Sequence, residues 1–130
     1  MSVTKISPTA EELAELAKTI PPGPIVIINL IKFKPGEEAR AAYVRYMEGS
    51  RPAANPDMEV IHAGKAAGDV GAGEDWDYSI IARYRQFADF VGVVTSDAWR
   101  EADRHRAQAI ARTLMIVTPV EDLGSVTNGE

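Results

Sequence analysis

The nine residues Ile25-Val26-Ile27-Ile28-Asn29-Leu30-Ile31-Lys32-Phe33 decide the fold. They are mostly β-branched or aromatic, and they lie between Pro24 and the turn signal Pro35-Gly36. Such a run reads as a strand. Alternate residues of a strand point to opposite faces. Ile25, Ile27, Ile31 and Phe33 make one face apolar, while Val26, Ile28 and Leu30 do the same for the other. The strand is therefore expected to be covered on both sides. It is too short to span a bilayer, and it carries Asn29 at its centre.

The chain on the N-terminal side opens with a capping box from Thr9 to Glu12, a hydroxyl followed three residues later by a carboxylate. Leu13, Leu16, Ala17 and Ile20 follow at helical spacing, and Pro21-Pro22-Gly23-Pro24 stops the helix. Glu11, Glu12, Glu15 and Lys18 interrupt the stretch, so it is not expected to be a signal peptide. On the other side, a helix is predicted from Glu37, acidic in its first turn, with Ala39, Ala42, Tyr43, Tyr46 and Met47 as its inner stripe. Pro52 and Pro56 end it. A second strand is predicted from Met58 to Ala67, a glycine-containing loop follows, and a third strand runs from Trp76 to Tyr84. Phe87, Phe90, Val91 and Val94 step as a helix. Ser96 or Asp97 caps another helical segment reaching about Arg112, and Leu114 to Val120 is the last strand.

The order is an extra helix followed by β-α-β-β-α-β, the second α being in two pieces. That is the ferredoxin-like arrangement of the α+β class, a four-stranded antiparallel sheet with helices on one face. The helices suffice for one face only. A second copy of the sheet is the cheapest cover for the other, which predicts a homodimer with sheets packed face to face. The expected boundaries are an N-terminal helical extension over 1–22, the domain over 23–120 and a flexible tail over 121–130.

Composition narrows the function. A chain of 130 residues has room for one ordinary core. With 45% apolar and 25% charged residues it reads as a soluble globular protein, neither disordered nor membrane-embedded. A net charge of −5 provides no field for nucleic acid or an anionic membrane, so neither is expected as a partner. The absence of cysteine removes disulfides, thiolate catalysis and zinc–thiolate or iron–sulfur ligation, and the expected compartment is the cytoplasm. His62 and His105 are the two histidines, with no carboxylates at ligand spacing around them, so neither a metal nor a cofactor is expected.

Taken together, the run Ile25 to Phe33, Tyr43 with Tyr46, Gly64, Trp76-Asp77, Ser96-Asp97-Ala98-Trp99 and His105-Arg106 resemble the domain-of-unknown-function 1330 family over residues 23–119. That family is similar to the dimeric α+β barrel superfamily. The resemblance implies a ferredoxin-like protomer whose sheet closes a barrel with a second chain. Superfamily relatives include cofactor-free oxygenases, isomerases, haem-handling proteins and stress-induced proteins, and the family has no settled reaction.

Candidate site residues follow from the pattern. Asn29 is a lone amide in an apolar strand, where it either orients a ligand oxygen or satisfies a neighbour and fixes the register. Arg106 shares an i, i+4 row with Ala102 and Ile110. It points inward or lies across the apolar face, either to bind a carboxylate or enolate-like oxyanion or to pair with a carboxylate such as Asp77 or Asp103 while its stem snorkels. His105 lies about 100° round the helix and His62 shares a strand face with Gly64; these are the candidate proton carriers. Tyr43 and Tyr46 face the sheet. Trp76 heads an aromatic row with Tyr78 and Tyr84, suited to a dimer interface or a cavity wall, and Asp77 on the opposite face is a partner for Arg83 or Arg106. Two functional readings remain. One is a binder of a small organic molecule, extending to a cofactor-independent isomerase or monooxygenase-like enzyme. The other is a non-catalytic structural or stress-related homodimer.

Overall fold

Ile25–Phe33 forms β1 over its whole expected length in a computed structural model that describes residues 6–121. Ahead of it lies α1 (Ala10–Ala17). The Thr9 hydroxyl accepts from Glu12 N, and the Glu12 carboxylate accepts from Thr9 N, so the capping box is closed. After β1 come α2 (Glu37–Ser50), a single 3-10 turn at Arg51–Ala53, β2 (Glu59–Lys65), β3 (Tyr78–Tyr84), α3 (Phe87–Val94), α4 (Asp97–Ala109) and β4 (Ile110–Pro119). The strands lie in the order β2-β3-β1-β4, and every neighbouring pair is antiparallel. The tail expected over 121–130 lies outside the described residues, apart from Glu121.

Several boundaries differ from expectation, among them those of β2, which spans Glu59–Lys65 and not Met58 to Ala67. β4 begins at Ile110, four residues before Leu114, and α4 stops at Ala109 instead of near Arg112. The helical period continues through this stretch, but pairing with β1 overrides it. Phe33 lies opposite Ile110 and Lys32 opposite Arg112, across an irregularity in the register. β3 begins at Tyr78, so Trp76 precedes the strand, although Asp77 N still donates to Ile31 O at 2.9 Å.

The helices cover one face. Ile25, Ile27, Ile31 and Phe33 are buried there with Tyr84, Phe90, Val94, Trp99 and Ile110. Each fully buried aliphatic side chain contributes about 1.5–3 kcal/mol relative to exposure. From α1 only Leu13 is buried, so this helix is held by one side chain and by its neighbours at residues 6–8.

The register puts Val26, Ile28, Leu30, Ile81, Leu114 and Ile116 together on the opposite face. Leu114 and Ile116 are each 45% exposed, and no helix among the described residues covers this face. Charged residues edge it. Lys32 bonds to Asp75 at 2.7 Å, and Arg112 bonds to Glu74 at 3.0 Å and lies 4.2 Å from the centroid of the Trp76 ring. These ties anchor the 66–77 loop across the ends of β1 and β4. Within it the Asp69 carboxylate accepts from Gly71 N and Glu74 N, and these backbone donors hold its pKa below the usual carboxylate range. No described helix is long and apolar enough to cross a membrane.

Candidate functional site

Asn29 interrupts the row of isoleucines on the helix-covered face, between Ile80 of β3 and Met115 of β4. A cavity of about 200 Å³ lies there, between the sheet and α2, α3 and α4. Asn29 Oδ1 accepts from Thr113 Oγ1 at 2.8 Å, and the same hydroxyl lies 2.8 Å from Leu30 O. The Asn29 amide nitrogen makes no hydrogen bond among the described residues.

Arg106 reaches the same cavity from α4 and is only 1% exposed. Nη1 donates to Ile6 O at 2.9 Å, Ser7 Oγ at 3.2 Å and Asp103 Oδ1 at 3.3 Å. Ser7 in turn donates to the other Asp103 oxygen at 2.6 Å. The guanidinium lies 5.9 Å from the Trp99 ring centroid and 6.0 Å from that of Tyr46, within cation–π range of both. Trp99 Nε1 donates to the Tyr46 hydroxyl at 3.2 Å, which locks the two rings together. Arg106 Nη2 is buried with no partner among the described residues. A buried donor left unpaired costs about 1–3 kcal/mol, more when charged, so it marks a place where a ligand atom would be welcome.

Of the candidate residues read from sequence, Asn29, Tyr43, Tyr46 and Arg106 converge on this one cavity. The other four do not line it. His62 is exposed on β2, its ring 3.5 Å from where a side chain on Gly64 would begin. His105 is half-buried on α4, and its Nδ1 is buried without a partner. Trp76 stacks with Arg112 in the loop. Asp77 is paired with neither Arg83 nor Arg106. It accepts from Phe33 N at 2.9 Å and lies 3.5 Å from Lys32. It is Asp103 that pairs with the arginine. The aromatic row of β3 also resolves: Ile80, Ala82 and Tyr84 wall the cavity, so the row faces the helices and not the open face.

Sequence reading missed Ser7, Thr113, Trp99 and the three methionines Met47, Met58 and Met115 of the lining. Ser7 and Thr113 lie 99 and 84 positions from their partners, so only the register and the docking of α1 bring them together.

A wider groove of about 840 Å³ runs between α1 and β4, rimmed by Glu11, Glu12 and Glu15. It is the larger space but the less informative one, since Arg106 does not line it. Phe90 and Met115 line both spaces, so these two side chains form the wall between them.

Burial is the main cause of two shifted tyrosines. It pushes the Tyr84 hydroxyl up to about 12, with Tyr46 adding to the effect. Tyr43 is pushed well above the ordinary range by burial and Tyr46, against a smaller opposing pull from Arg106. Raised folded values mean that the native state resists ionisation. This contribution to stability is therefore whole below the usual tyrosine pKa of about 10 and is lost as pH rises through the folded values. Melting temperature is expected to fall between about pH 10 and about pH 12. Tyr84→Phe is expected to flatten that fall, and an equally steep fall in the variant would contradict the assignment.

Comparison with solved structures places the architecture. A dimeric protein of unknown function with a ferredoxin-like fold from Bacteroides fragilis superposes with a TM-score of 0.55 at 16% identity, over 75% of this chain and 96% of that one. The chain has a ferredoxin-like fold. This ferredoxin-like chain is also similar to a protein of unknown function from Rhodopseudomonas palustris, with a TM-score of 0.78 and 28% identity over 92% of this chain and all (100%) of that one. A hydroxynitrile lyase from Passiflora edulis shares the fold at a TM-score of 0.61 and 16% identity, over 78% of this chain and 97% of that one. No family model matches the chain, and no curated protein matches it significantly.

Proposed function

We propose that this chain forms a homodimer through its open sheet face, and that each protomer binds a small organic molecule between sheet and helices. The observation that carries the second part is one mostly apolar cavity lined by both Asn29 and Arg106, two side chains that each keep an unpaired donor, Nδ2 and the buried Nη2. Asn29 and Arg106 orient the ligand, while Tyr43, Tyr46 and Trp99 form its walls. We further infer, from the resemblance of the sequence marks noted above, kinship with the domain-of-unknown-function 1330 family. The Bacteroides neighbour described as dimeric supports the assembly, and the lyase shows that this fold is compatible with an enzyme.

The lining bears on catalysis. It includes no histidine, aspartate or glutamate. Proton transfer beside a carbonyl needs a base, and His62 and His105 lie elsewhere. The cavity therefore favours binding, or the oxygenation of a substrate reactive enough to need no protein base, over isomerisation. The non-catalytic homodimer is the second reading. What favours it is the fixed cluster of Arg106 Nη1, Ile6, Ser7 and Asp103, which resembles a core pair as much as a binding site.

The methionines make this testable. The chain has four, and Met47, Met58 and Met115 line the cavity. In methyl-labelled protein, small aromatic ligands are expected to shift those three resonances together. Binding that leaves all three unmoved, or a broad screen in which nothing moves them, would overturn the reading.

A further inference from the structure

Resting on that binding reading, we propose that the cavity is a site for a small monocarboxylate. The acid group sits on Arg106 Nη2, a second oxygen or the far carboxylate edge lies towards the Asn29 amide, and an apolar body fills the remainder.

Charge is the first reason. Arginine stays protonated in proteins, and its planar fork matches a carboxylate with two parallel hydrogen bonds. Arg106 uses Nη1 alone, on three neighbours, and Nη2 is left over in a side chain that is 1% exposed. Asp103 only partly balances it. This carboxylate makes a single 3.3 Å contact to the guanidinium, is itself 18% exposed, and gives its other oxygen to Ser7. Among the lining residues Arg106 is the one charged side chain, and it is a cation. With little water around it, an unpaired positive edge attracts an anion far more strongly than it would at a surface.

Donor balance and size are the second reason. Asn29 has already committed its oxygen to Thr113, so what its amide has left for a ligand is donors. A ligand that brings acceptors satisfies both walls, and one that brings donors satisfies neither. A space of about 200 Å³ lies below the roughly 300–1,000 Å³ typical of drug-sized ligands. The apolar part of the wall includes Ile27, Ile80, Ala82, Phe90 and Met115, which suits one ring or a short branched chain.

Benzoate and benzamide have nearly the same shape and differ in charge, so they serve as probes. Each is titrated into the dimer and followed by the methyl resonances of Met58 and Met115. Benzoate is expected to bind at least about tenfold more tightly than benzamide. Arg106→Met is expected to erase that ratio. Asn29→Asp, which places a like charge on the facing wall and removes the amide donor, is expected to weaken benzoate far more than benzamide and so to reverse their ratio. If Arg106→Met does not fold, the parent's benzoate-to-benzamide ratio and Asn29→Asp still decide. Equal affinity for the two probes would overturn the carboxylate proposal and leave the binding cavity standing. Methyls unmoved by either probe would overturn both.

Discussion

Ile116→Asp is expected to break the proposed dimer into monomers. Ile116 sits beside Ile28 on the face that no described helix covers, with Leu30, Leu114 and Ile81 around it. In the single chain it is 45% exposed, so a carboxylate there keeps its water and costs the protomer little. Between two packed sheets the same carboxylate would be stripped of water in an apolar patch of Ile28, Leu30, Ile81 and Leu114. An unpaired buried charge costs several kcal/mol, which is a loss of at least about a hundredfold in association. Val70→Asp is the control. Val70 is fully exposed in the 66–77 loop and should leave the dimer intact. Sedimentation at micromolar concentration reads both. A parent that runs as a monomer, or an Ile116→Asp chain that remains a dimer, would contradict the face-to-face assembly.

The second large effect is on stability. Trp99→Ala is expected to cost about 3–5 kcal/mol in urea unfolding, the range for removing a large buried aromatic. Trp99 is 6% exposed and packs edge-on against Tyr46, with ring centroids 6.4 Å apart. It also donates to the Tyr46 hydroxyl and lies near the Arg106 guanidinium, so its loss opens a hole and frees two neighbours at once. Trp99→Phe keeps most of the packing and drops the indole donor. It should cost about 1 kcal/mol, the typical net worth of one hydrogen bond. A Trp99→Ala loss below that of Trp99→Phe would mean that the ring is not part of the core as described.

The periodicity of the chain carried most of the fold. β1 was readable because apolar residues fill both of its faces, and that double filling also foretold an apolar face that no described helix covers. α1 was readable because its capping box is local. The end of α4 was not. Its helical period runs on past Ala109, and only pairing with Phe33 and Lys32, some 77–80 positions earlier, turns Ile110 and Arg112 into a strand. The site divided along the same line. Asn29, Tyr43, Tyr46 and Arg106 stood out because each breaks or marks an inward-facing stripe. Asp77 misled because it has the right charge for Arg106, whereas its position at the head of β3 places it beside Lys32 and the Phe33 amide. Ser7, whose hydroxyl bridges Arg106 and Asp103, lies in a segment with no pattern of its own.

A crystal structure of the protein grown with benzoate tests the central claim most directly. The predicted result is a dimer joined across the Leu30, Ile81 and Ile116 face. In each protomer a benzoate carboxylate lies within hydrogen-bond distance of Arg106 Nη2, with its ring among Ile80, Phe90 and Met115. A cavity closed by its own side chains, or benzoate bound only on the open sheet face, would contradict it.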